Sequence, residues 1–346
     1  MKFGPVPVMQ AQYAVLAHSV STPEGRLRKG HVLRSEDITA LQRAGLKDVI
    51  VAQIDDDDVG EDEAATRIAG ALCTGCDHFD LTKAATGRVN LHARQTGLFR
   101  ARATVIDAIN QTDEAITLAT LADETFVEAG RMVATVKIIT FAVPETVLGS
   151  VEKVCHREDK PLDLAPARAL RVGLVATTLP VLKTSVMDKT ARVLADRLKP
   201  GKSLIKQELR VPHEADAVAE ALNRLQLDCD LLIVFGASAI VDRRDVIPAA
   251  LEAAGGNVIR LGMPVDPGNL LLIGNLDGIP VIGAPGCARS PAENGFDWVL
   301  ERLICGLPVD GDAISGLGVG GLLMEIQSRP QPRDMSGAAS SKDVHG

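Results

Sequence analysis

The sequence FGASAIVDRRDVIP, residues 235–248, sets two carboxylates and two arginines a few positions after a glycine. Small residues after Gly236 would let backbone N–H groups approach a ligand closely, and the helix expected to follow would add a partial positive charge. These features suit an anion, most simply a phosphate. The carboxylates of Asp242 and Asp245 would then suit Mg²⁺ or a hydrogen-bonding ring of the ligand.

Two further turns carry small residues of the same kind. VDPGN, residues 265–269, lies between two apolar runs, and APGCARS, residues 284–290, follows the run IPVIG. Each turn contains a glycine at which a ligand could approach the backbone. The sequence therefore predicts three ligand-facing turns, although a simple tight turn would use the same glycines without any ligand.

The elements that must position these turns alternate between strand and helix patterns. Apolar runs such as RVGLVAT and DLLIVF are typical of buried strands, whereas SVMDKTARVLADRL and EADAVAEALNRL carry apolar residues at helical spacing. This alternation predicts an α/β domain, a three-layer α/β/α arrangement around a mostly parallel sheet. Ligands bind such sheets beyond the carboxyl ends of the strands, where the three turns would lie.

A change of pattern divides the chain. We expect an α+β, strand-rich region over residues 1–150, from runs such as TGRVNLHA and RMVATVKIITFAV. The polar, proline-bearing segment 151–169 predicts a linker, and the α/β domain is expected over residues 170–310. We then expect a strand-like extension at 311–326 and a disordered tail at 327–346, because the tail is polar.

Two groups of residues outside the α/β domain could also do chemistry. Cys73 and Cys76 form a C-x-x-C pair with His78 nearby, a pattern that zinc and redox sites use. No second pair follows at matching spacing, so we interpret the pair as ordinary reduced thiols. The acidic run DDDDVGEDE, residues 55–63, suggests either a divalent-cation site or, more simply, a solvated loop leading into a helix N-terminus.

Composition and motif context exclude several function classes. The 346 residues carry a net charge of −8, which argues against a general nucleic-acid binder. No apolar run approaches the ~20 residues of a membrane span and no signal-peptide pattern opens the chain, so we expect a cytoplasmic protein without a membrane partner. GLGVGG, residues 316–321, matches a dinucleotide fingerprint but precedes an expected strand instead of following one, so nicotinamide binding is not expected.

Four sequence segments, in this order along the chain, make the α/β region similar to a known family of domains. They are SVMDKT at 185–190, DLLIVFGASAIVDRRDVIP at 230–248, VDPGNLLLIG at 265–274 and PVIGAPGCARS at 280–290. With them, residues 171–306 resemble the molybdopterin-binding domain shared by molybdopterin adenylyltransferases and molybdopterin molybdenumtransferases. RLRKGHVLRSEDITALQRAGLKDVIVA resembles the segment that precedes this domain in the molybdenumtransferases. The whole chain is similar to a bacterial subfamily in which the domain is sometimes fused to a nucleotidyltransferase, although no glycine-rich nucleotidyltransferase start is present.

The resemblance implies a molybdopterin-binding protein of molybdenum-cofactor biosynthesis, with Mg²⁺ and ATP as further ligands. It implies that Asp245 is the catalytic and metal-binding aspartate and that Asp242 is a second carboxylate within reach. It implies homo-oligomers and, as partners, other proteins of molybdenum-cofactor biosynthesis. The residues that it implies for pterin binding are Gly236, Ala237, Ser238, Asp188, Asp266, Pro267, Gly268, Asn269, Pro285, Gly286 and Cys287.

Departures from the family pattern leave the reaction open. A single Gly236 stands where the family usually has two glycines, and Cys287 stands where it usually has Asn. His213 occupies the position of an aspartate that is important for adenylyl transfer. Adenylylation of molybdopterin, molybdenum insertion, and binding without turnover as a carrier or delivery module therefore all stay open.

Overall fold

The computed structural model of the chain describes residues 1–157, 160–180 and 182–324. It falls into two compact units. The N-terminal unit comprises Met1–Ala169, Pro200–Lys202 and Ile304–Leu307, and the C-terminal unit comprises Leu170–Lys199, Ser203–Leu303 and the chain from Pro308 onward. The predicted disordered tail at 327–346, and residues 325 and 326 of the predicted extension, lie outside the described residues.

Short strands dominate the N-terminal unit. In chain order they are β1 (Lys2–Pro7), β2 (Val15–Leu16), β3 (Val20–Thr22), β4 (Gly25–Leu27), β5 (Asp48–Gln53), β6 (Asp58–Gly60), β7 (Phe79–Leu81), β8 (Arg88–Ala93), β9 (Gly97–Ala101), β10 (Ile116–Thr120), β11 (Thr125–Val127), β12 (Met132–Ile138), β13 (Ala142–Pro144) and β14 (Leu162–Pro166). The helices are α1 (Ser35–Arg43), α2 (Glu61–Leu72), α3 (Ala103–Thr112) and α4 (Glu145–Cys155). The strands pair in the orders β1–β5–β2, β3–β4, β13–β6, β10–β12–β8–β7 and β11–β9–β14.

Buried apolar side chains of this unit form separate clusters. One cluster lies within residues 8–51, and a larger one lies within residues 59–164. In α2 the buried residues recur at helical spacing, for example Ala64, Ile68 and Leu72, so one face of the helix packs into the larger cluster.

One mixed sheet organises the C-terminal unit. Its strands are β15 (Arg171–Thr178), β16 (Leu204–Pro212), β17 (Leu231–Phe235), β18 (Asn257–Leu261), β19 (Leu272–Leu276) and β20 (Ile279–Ala284), in the order β16–β15–β17–β20–β19–β18. β15 pairs in parallel with β16 and β17, and β17 pairs in parallel with β20. β19 is antiparallel to both β18 and β20, so within the described chain it runs against the other strands of this sheet.

Helices alternate with these strands along the sequence. They are α5 (Thr184–Leu198), α6 (Ala215–Leu225), α7 (Val246–Ala253), α8 (Gly295–Ile304) and α9 (Gly311–Ser315). The central strand β17 is buried on both sides: Val234 packs into the cluster that contains α6 and α7, while the ring of Phe235 lies 6.1 Å from that of Phe296 in α8. No helix in the described residues is long and apolar enough to cross a bilayer.

Two predicted segments differ from the structure. Residues 151–169 contain the end of α4 and the strand β14, whose antiparallel pairing with β9 brings Leu162 opposite Ala101, where the sequence predicted a linker. Only two buried apolar residues, Leu162 and Leu164, mark this strand, which is too short a signal for a period to emerge. The predicted strand-like extension begins instead with the helix α9, capped by the Asp310 carboxylate, which accepts a hydrogen bond from the Ala313 N–H at 2.8 Å.

Candidate functional site

The carboxyl ends of β15, β16, β17, β18 and β20 lie at one edge of the sheet, because these strands run in the same direction. The segment 236–245 follows β17, the segment 262–271 follows β18, and residues 285–290 follow β20. All three glycine-bearing turns therefore lie at this edge. It is the part of an open α/β sheet at which ligands bind.

A hydroxyl links the end of β15 to the turn after β17. Thr177 is 1% exposed, and its Oγ1 accepts a hydrogen bond from the Ala237 N–H at 2.6 Å and lies 2.9 Å from His213 Nδ1. The hydroxyl can donate to His213 Nδ1 or accept from it, so the contact holds the ring against the end of β15 in either tautomer.

Gly236 is required where β17 leaves the sheet. A Cβ at this position would lie 2.7 Å from the Ser238 carbonyl oxygen and 2.8 Å from Ile247 Cδ1, so the backbone turns where no side chain fits. Gly236 and Ala237 are half-buried, and Ser238 is exposed at the start of the turn.

Arg289 brings a positive charge to this turn. Its Nη2 donates to the Gly236 carbonyl oxygen at 2.9 Å, its Nη1 donates to Thr190 Oγ1 at 2.8 Å, and its guanidinium carbon lies 5.2 Å from the centroid of the Phe235 ring. The side chain is half-buried, and this burial lowers its pKa. No carboxylate in the described residues lies within ion-pair distance of Arg289, so the charge has no acidic counterpart there.

Asp245, predicted as the catalytic and metal-binding aspartate, is the N-cap of α7. Its Oδ1 accepts a hydrogen bond from the Val246 N–H at 2.8 Å and its Oδ2 accepts one from the Val241 N–H at 3.2 Å. Asp242 is exposed and accepts hydrogen bonds from both the side chain and the backbone of Arg244, which lower the pKa of its carboxyl group. Both carboxylates thus organise the loop in which they lie.

The turn at residues 265–269 approaches the start of α8. At Gly268, φ is +136° and a Cβ would lie 2.6 Å from the Gly295 nitrogen, so glycine is needed both for its backbone conformation and for this approach. The Pro267 carbonyl oxygen accepts the Gly295 N–H at 2.8 Å, and Asn269 Nδ2 lies 3.4 Å from Asp266 Oδ1.

The turn after β20 is a short 3₁₀ helix, Gly286–Arg289, preceded by the buried Pro285. Cys287 Sγ lies 3.8 Å from the Asn294 side-chain oxygen, and burial raises the pKa of its thiol. Gly286 is exposed, with open space around its Cα. Asp188 lies in α5 and its Oδ1 accepts a hydrogen bond from Arg210 Nη2 of β16 at 2.6 Å, so this carboxylate has a cationic partner within the protein.

The structure adds residues that the sequence interpretation did not assign to the site. Around Gly236 it brings together Thr177, Thr190 and Arg289, and it bonds His213 to Thr177. One signal was available in advance: Arg289 is the charged residue within the otherwise small and apolar turn APGCARS. The threonines gave no such signal, because a threonine within a strand or a helix is common.

The acidic run at residues 55–63 makes internal contacts. Asp55 and Asp58 lie 3.1 and 2.7 Å from the amino group of Met1, and Asp62 Oδ1 accepts the Gly87 N–H at 2.6 Å. In the described chain this run contributes no ligand to a cluster that could hold a metal ion. The simpler interpretation, a loop leading into the N-terminus of α2, accounts for it.

Comparison with known proteins gives a partial sequence match and weak structural similarity. Residues 5–53 match the model of a domain of unknown function (DUF8806), and no curated protein sequence matches the chain. A molybdopterin biosynthesis MoeA protein from Pyrococcus horikosii is similar in structure at 12% identity and a TM-score of 0.30, over 88% of this chain and 75% of that chain.

Two further solved structures show the same level of similarity. A molybdenum cofactor biosynthesis protein from Pyrococcus furiosus has 12% identity and a TM-score of 0.26, over 89% of this chain and 66% of that chain. A CinA protein with unknown function from Thermoplasma acidophilum has 15% identity and a TM-score of 0.32, over 39% of this chain and 98% of that chain. Similarity at this level carries no argument about activity, so the case for function rests on the residues of the site. The chain is a mixed α/β protein with weak structural similarity to molybdopterin biosynthesis proteins.

Proposed function

We propose that the C-terminal unit binds molybdopterin at the carboxyl edge of its sheet and that the protein acts in molybdenum-cofactor biosynthesis. The observation that carries the proposal is the half-buried guanidinium of Arg289, which lies beside Gly236 without an acidic partner in the described residues. A cation held partly out of water is stabilised by an anion, and guanidinium binds phosphate oxygens through two parallel hydrogen bonds. The terminal phosphate of molybdopterin is such an anion.

The phosphate in this proposal lies against the turn after β17, where Arg289 and His213 are close to Gly236. The proposal places a proton on His213 Nε2, so that this N–H and the hydroxyl of Ser238 supply further donors for an oxyanion. The remaining contacts to the pterin come from the sequence-predicted residues Ala237, Asp188, Asp266, Pro267, Gly268, Asn269, Pro285, Gly286 and Cys287.

As a transferase, the protein would use Asp245 to hold Mg²⁺ beside the phosphate. Each carboxylate oxygen of Asp245 accepts one backbone hydrogen bond, which leaves a lone pair on each oxygen for a metal. Mg²⁺ at this position would neutralise phosphate charge while ATP, for adenylylation, or molybdate, for insertion, reacts there. Asp242 would be the second carboxylate of this arrangement.

A carrier function, binding without turnover, is the second candidate. It is favoured by His213, whose ring lies 2.9 Å from Thr177 Oγ1 and stands where a transferase of this kind would have a carboxylate. A neutral imidazole does not replace a carboxylate as an Mg²⁺ ligand, because Mg²⁺ prefers oxygen donors.

The proposal also covers the bounds and layers of the domain, the location of the protein and its oligomeric state. We place the molybdopterin-binding domain at residues 170–310 as a three-layer α/β/α arrangement, supported by the packing of Val234 and Phe235 against different helices. We further propose a cytoplasmic homo-oligomer that exchanges molybdopterin with other proteins of cofactor biosynthesis. Light scattering of the purified protein tests the oligomer, which a monomeric mass would contradict.

Binding is tested by titrating molybdopterin into the full-length protein and into Arg289→Gln. We expect Arg289→Gln to weaken binding by about 10- to 100-fold, because it removes a charge-assisted pair with the phosphate. Arg224→Gln is the matched control: it removes one exposed arginine of α6 in the same unit and should bind as the wild type does. Equal affinity of wild type and Arg289→Gln, or no binding by the wild type, would contradict the proposal.

Turnover separates the two candidates. The protein is incubated with molybdopterin, Mg-ATP and molybdate, and the products are separated and identified by mass. Adenylylated or molybdenum-loaded pterin that disappears in Asp245→Asn supports the transferase. Tight binding of molybdopterin with no new product in any of these mixtures supports the carrier.

A further inference from the structure

Three metal-ligating side chains meet within the N-terminal unit. Cys76 Sγ lies 3.6 Å from Asp163 Oδ1, and His78 Nε2 lies 3.6 Å from the same oxygen. All three ligand atoms lie within 4.8 Å of one another. Cys76 is buried, while the side chains of His78 and Asp163 are 26% and 32% exposed, so an ion could reach the cluster from solvent.

Two separate parts of the chain build this cluster. After α2 ends at Leu72, a turn with Gly75 at φ +72° leads to Cys76 and His78 just before β7. Asp163 comes from β14, 87 residues later, and is placed here by the pairing of β14 with β9. The C-x-x-C pair alone favours ordinary reduced thiols, but the tertiary structure adds a carboxylate that its spacing does not indicate.

The two distances to Asp163 Oδ1 fit a metal ion. A tetrahedral zinc ion with bonds of about 2.0–2.3 Å places its ligand atoms about 3.3–3.8 Å apart, and both measured separations of 3.6 Å fall in this range. Thiolate, imidazole and carboxylate together form a donor set that zinc accepts. Three protein ligands leave a fourth position for water, as in zinc sites that exchange a ligand.

A second set of contacts orients two of the ligands. His78 Nδ1 lies 3.0 Å from Gln95 Nε2. Exchanging the nitrogen and oxygen of this amide, which have nearly the same shape, would let the amide oxygen accept the Nδ1 proton and leave the Nε2 lone pair for the metal. Lys160 Nζ lies 3.7 Å from the other oxygen of Asp163, Oδ2. Oδ1 is thereby left to face Cys76 and His78.

We propose that Cys76, His78 and Asp163 bind a divalent transition-metal ion, with zinc as the ion that their chemistry fits. On binding, the thiol of Cys76 loses its proton to solvent and the resulting thiolate donates an electron pair to the ion, so each bound ion releases one proton. No electron is transferred. In the absence of metal the same thiol donates a weak hydrogen bond to Asp163.

Metal titration of the full-length protein, first dialysed against a chelator, tests the site. We expect one zinc ion per chain, and with Co²⁺ a thiolate-to-metal charge-transfer band and the visible bands of tetrahedral cobalt. Cys76→Ser, His78→Gln and Asp163→Asn should each lower the affinity by at least about 10- to 100-fold, and Gln95→Leu by about 10-fold as an outer contact. A pH-stat titration should record one proton released per ion.

Matched controls are Cys155→Ser, a buried cysteine of the same unit, and His156→Gln, an exposed histidine; both should bind as the wild type does. Cys73→Ser should also retain affinity, because Cys73 is not part of the cluster. Asp163→Asn keeps the shape of the side chain, and circular dichroism checks its folding. Absence of the charge-transfer band in the wild type would overturn the proposal, as would equal affinity of the ligand variants and their controls.

Discussion

Asp245 has a structural role as the N-cap of α7, independent of any role in catalysis. Its two carboxylate oxygens accept the N–H groups of Val246 and Val241, so the side chain both caps α7 and closes the preceding loop. A backbone N–H in the first turn of a helix lowers stability if it has no hydrogen-bond partner. A carboxylate at this end of the helix also interacts favourably with the helix dipole. A loss of stability on substitution of Asp245 would therefore report its capping role and would give no information about catalysis.

Two substitutions of Asp245 should show how much its hydrogen bonds to the backbone contribute to stability. Asp245→Ala should lower the free energy of unfolding by about 0.5–2 kcal/mol, because the cap is lost. Asp245→Asn should lie between the wild type and Asp245→Ala, because the amide oxygen can still cap the helix but the amide nitrogen cannot accept the Val241 N–H. Urea denaturation of the three proteins measures the difference. Equal destabilisation by Ala and Asn would contradict a contribution from the cap that an amide oxygen can supply.

Glu301 in α8 is the residue with the clearest expected effect of pH. Burial, with smaller effects from Asp297 and Glu293, raises the pKa of its carboxyl group to about 8. In the unfolded chain this pKa is near its ordinary value of about 4.3. Between these two values the folded protein holds a proton that the unfolded chain has released, so the free energy of unfolding falls as pH rises through this window.

Glu301→Gln should remove this dependence. The variant should be more stable than the wild type above pH ~8, by an amount on the order of 2 kcal/mol because partial exposure screens the charge. The two proteins should be similar in stability near pH ~4. Denaturant midpoints across the pH range measure the effect. A constant difference between the two proteins at every pH would rule out titration of Glu301 as its cause.

At the scale of elements, Arg197 of α5 holds the turn after β20. Its guanidinium donates to the carbonyl oxygens of Ala288 at 2.8 Å and Ser290 at 2.7 Å and pairs with the carboxylate of Asp297 in α8. The side chain is 10% exposed, so these contacts are shielded from water. One residue thereby joins two helices and the segment that carries Arg289.

Arg197→Lys should loosen this segment although it keeps the charge. A lysine cannot supply the planar fork of donors, so carbonyl groups are left without partners, at about 1–3 kcal/mol. Hydrogen exchange of residues 286–292 should accelerate, and denaturation should show the loss of stability. Arg192→Lys is the control on the exposed face of the same helix and should change neither measurement.

Charge is the property that belongs to the whole molecule. Acidic residues number 45 and basic residues 37, and the sequence isoelectric point is about 5.5. Net charge sets repulsion between copies, so it governs association and solubility rather than fold.

The solubility of the full-length protein should therefore pass through a minimum near pH 5.5 and rise on either side. Precipitation with polyethylene glycol at a series of pH values measures it. Added salt should flatten the minimum, because it screens the charges. A monotonic change across this pH range would contradict the assignment to net charge.

The local spacing of apolar residues predicted most of the strands and helices of the C-terminal unit. The alternation of apolar runs with helical stripes predicted β15 through α8 in order, and the glycines after β17, β18 and β20 predicted where close turns lie. Periodicity and turn chemistry depend on neighbours in sequence, so they can be read without the fold. The short strand β14 and the helix α9 were not predicted, because so few residues carry no clear period.

Only the tertiary structure decided which side chains meet. The sequence marked Asp245 and the C-x-x-C pair, but the strand order brought Thr177 to Ala237 and Arg289 to Gly236. The pairing of β14 with β9 brought Asp163 to Cys76 across 87 residues. Such contacts depend on non-local pairing, which no run of adjacent residues encodes, and for this reason the candidate anion site and the candidate metal site both became visible only in the folded chain.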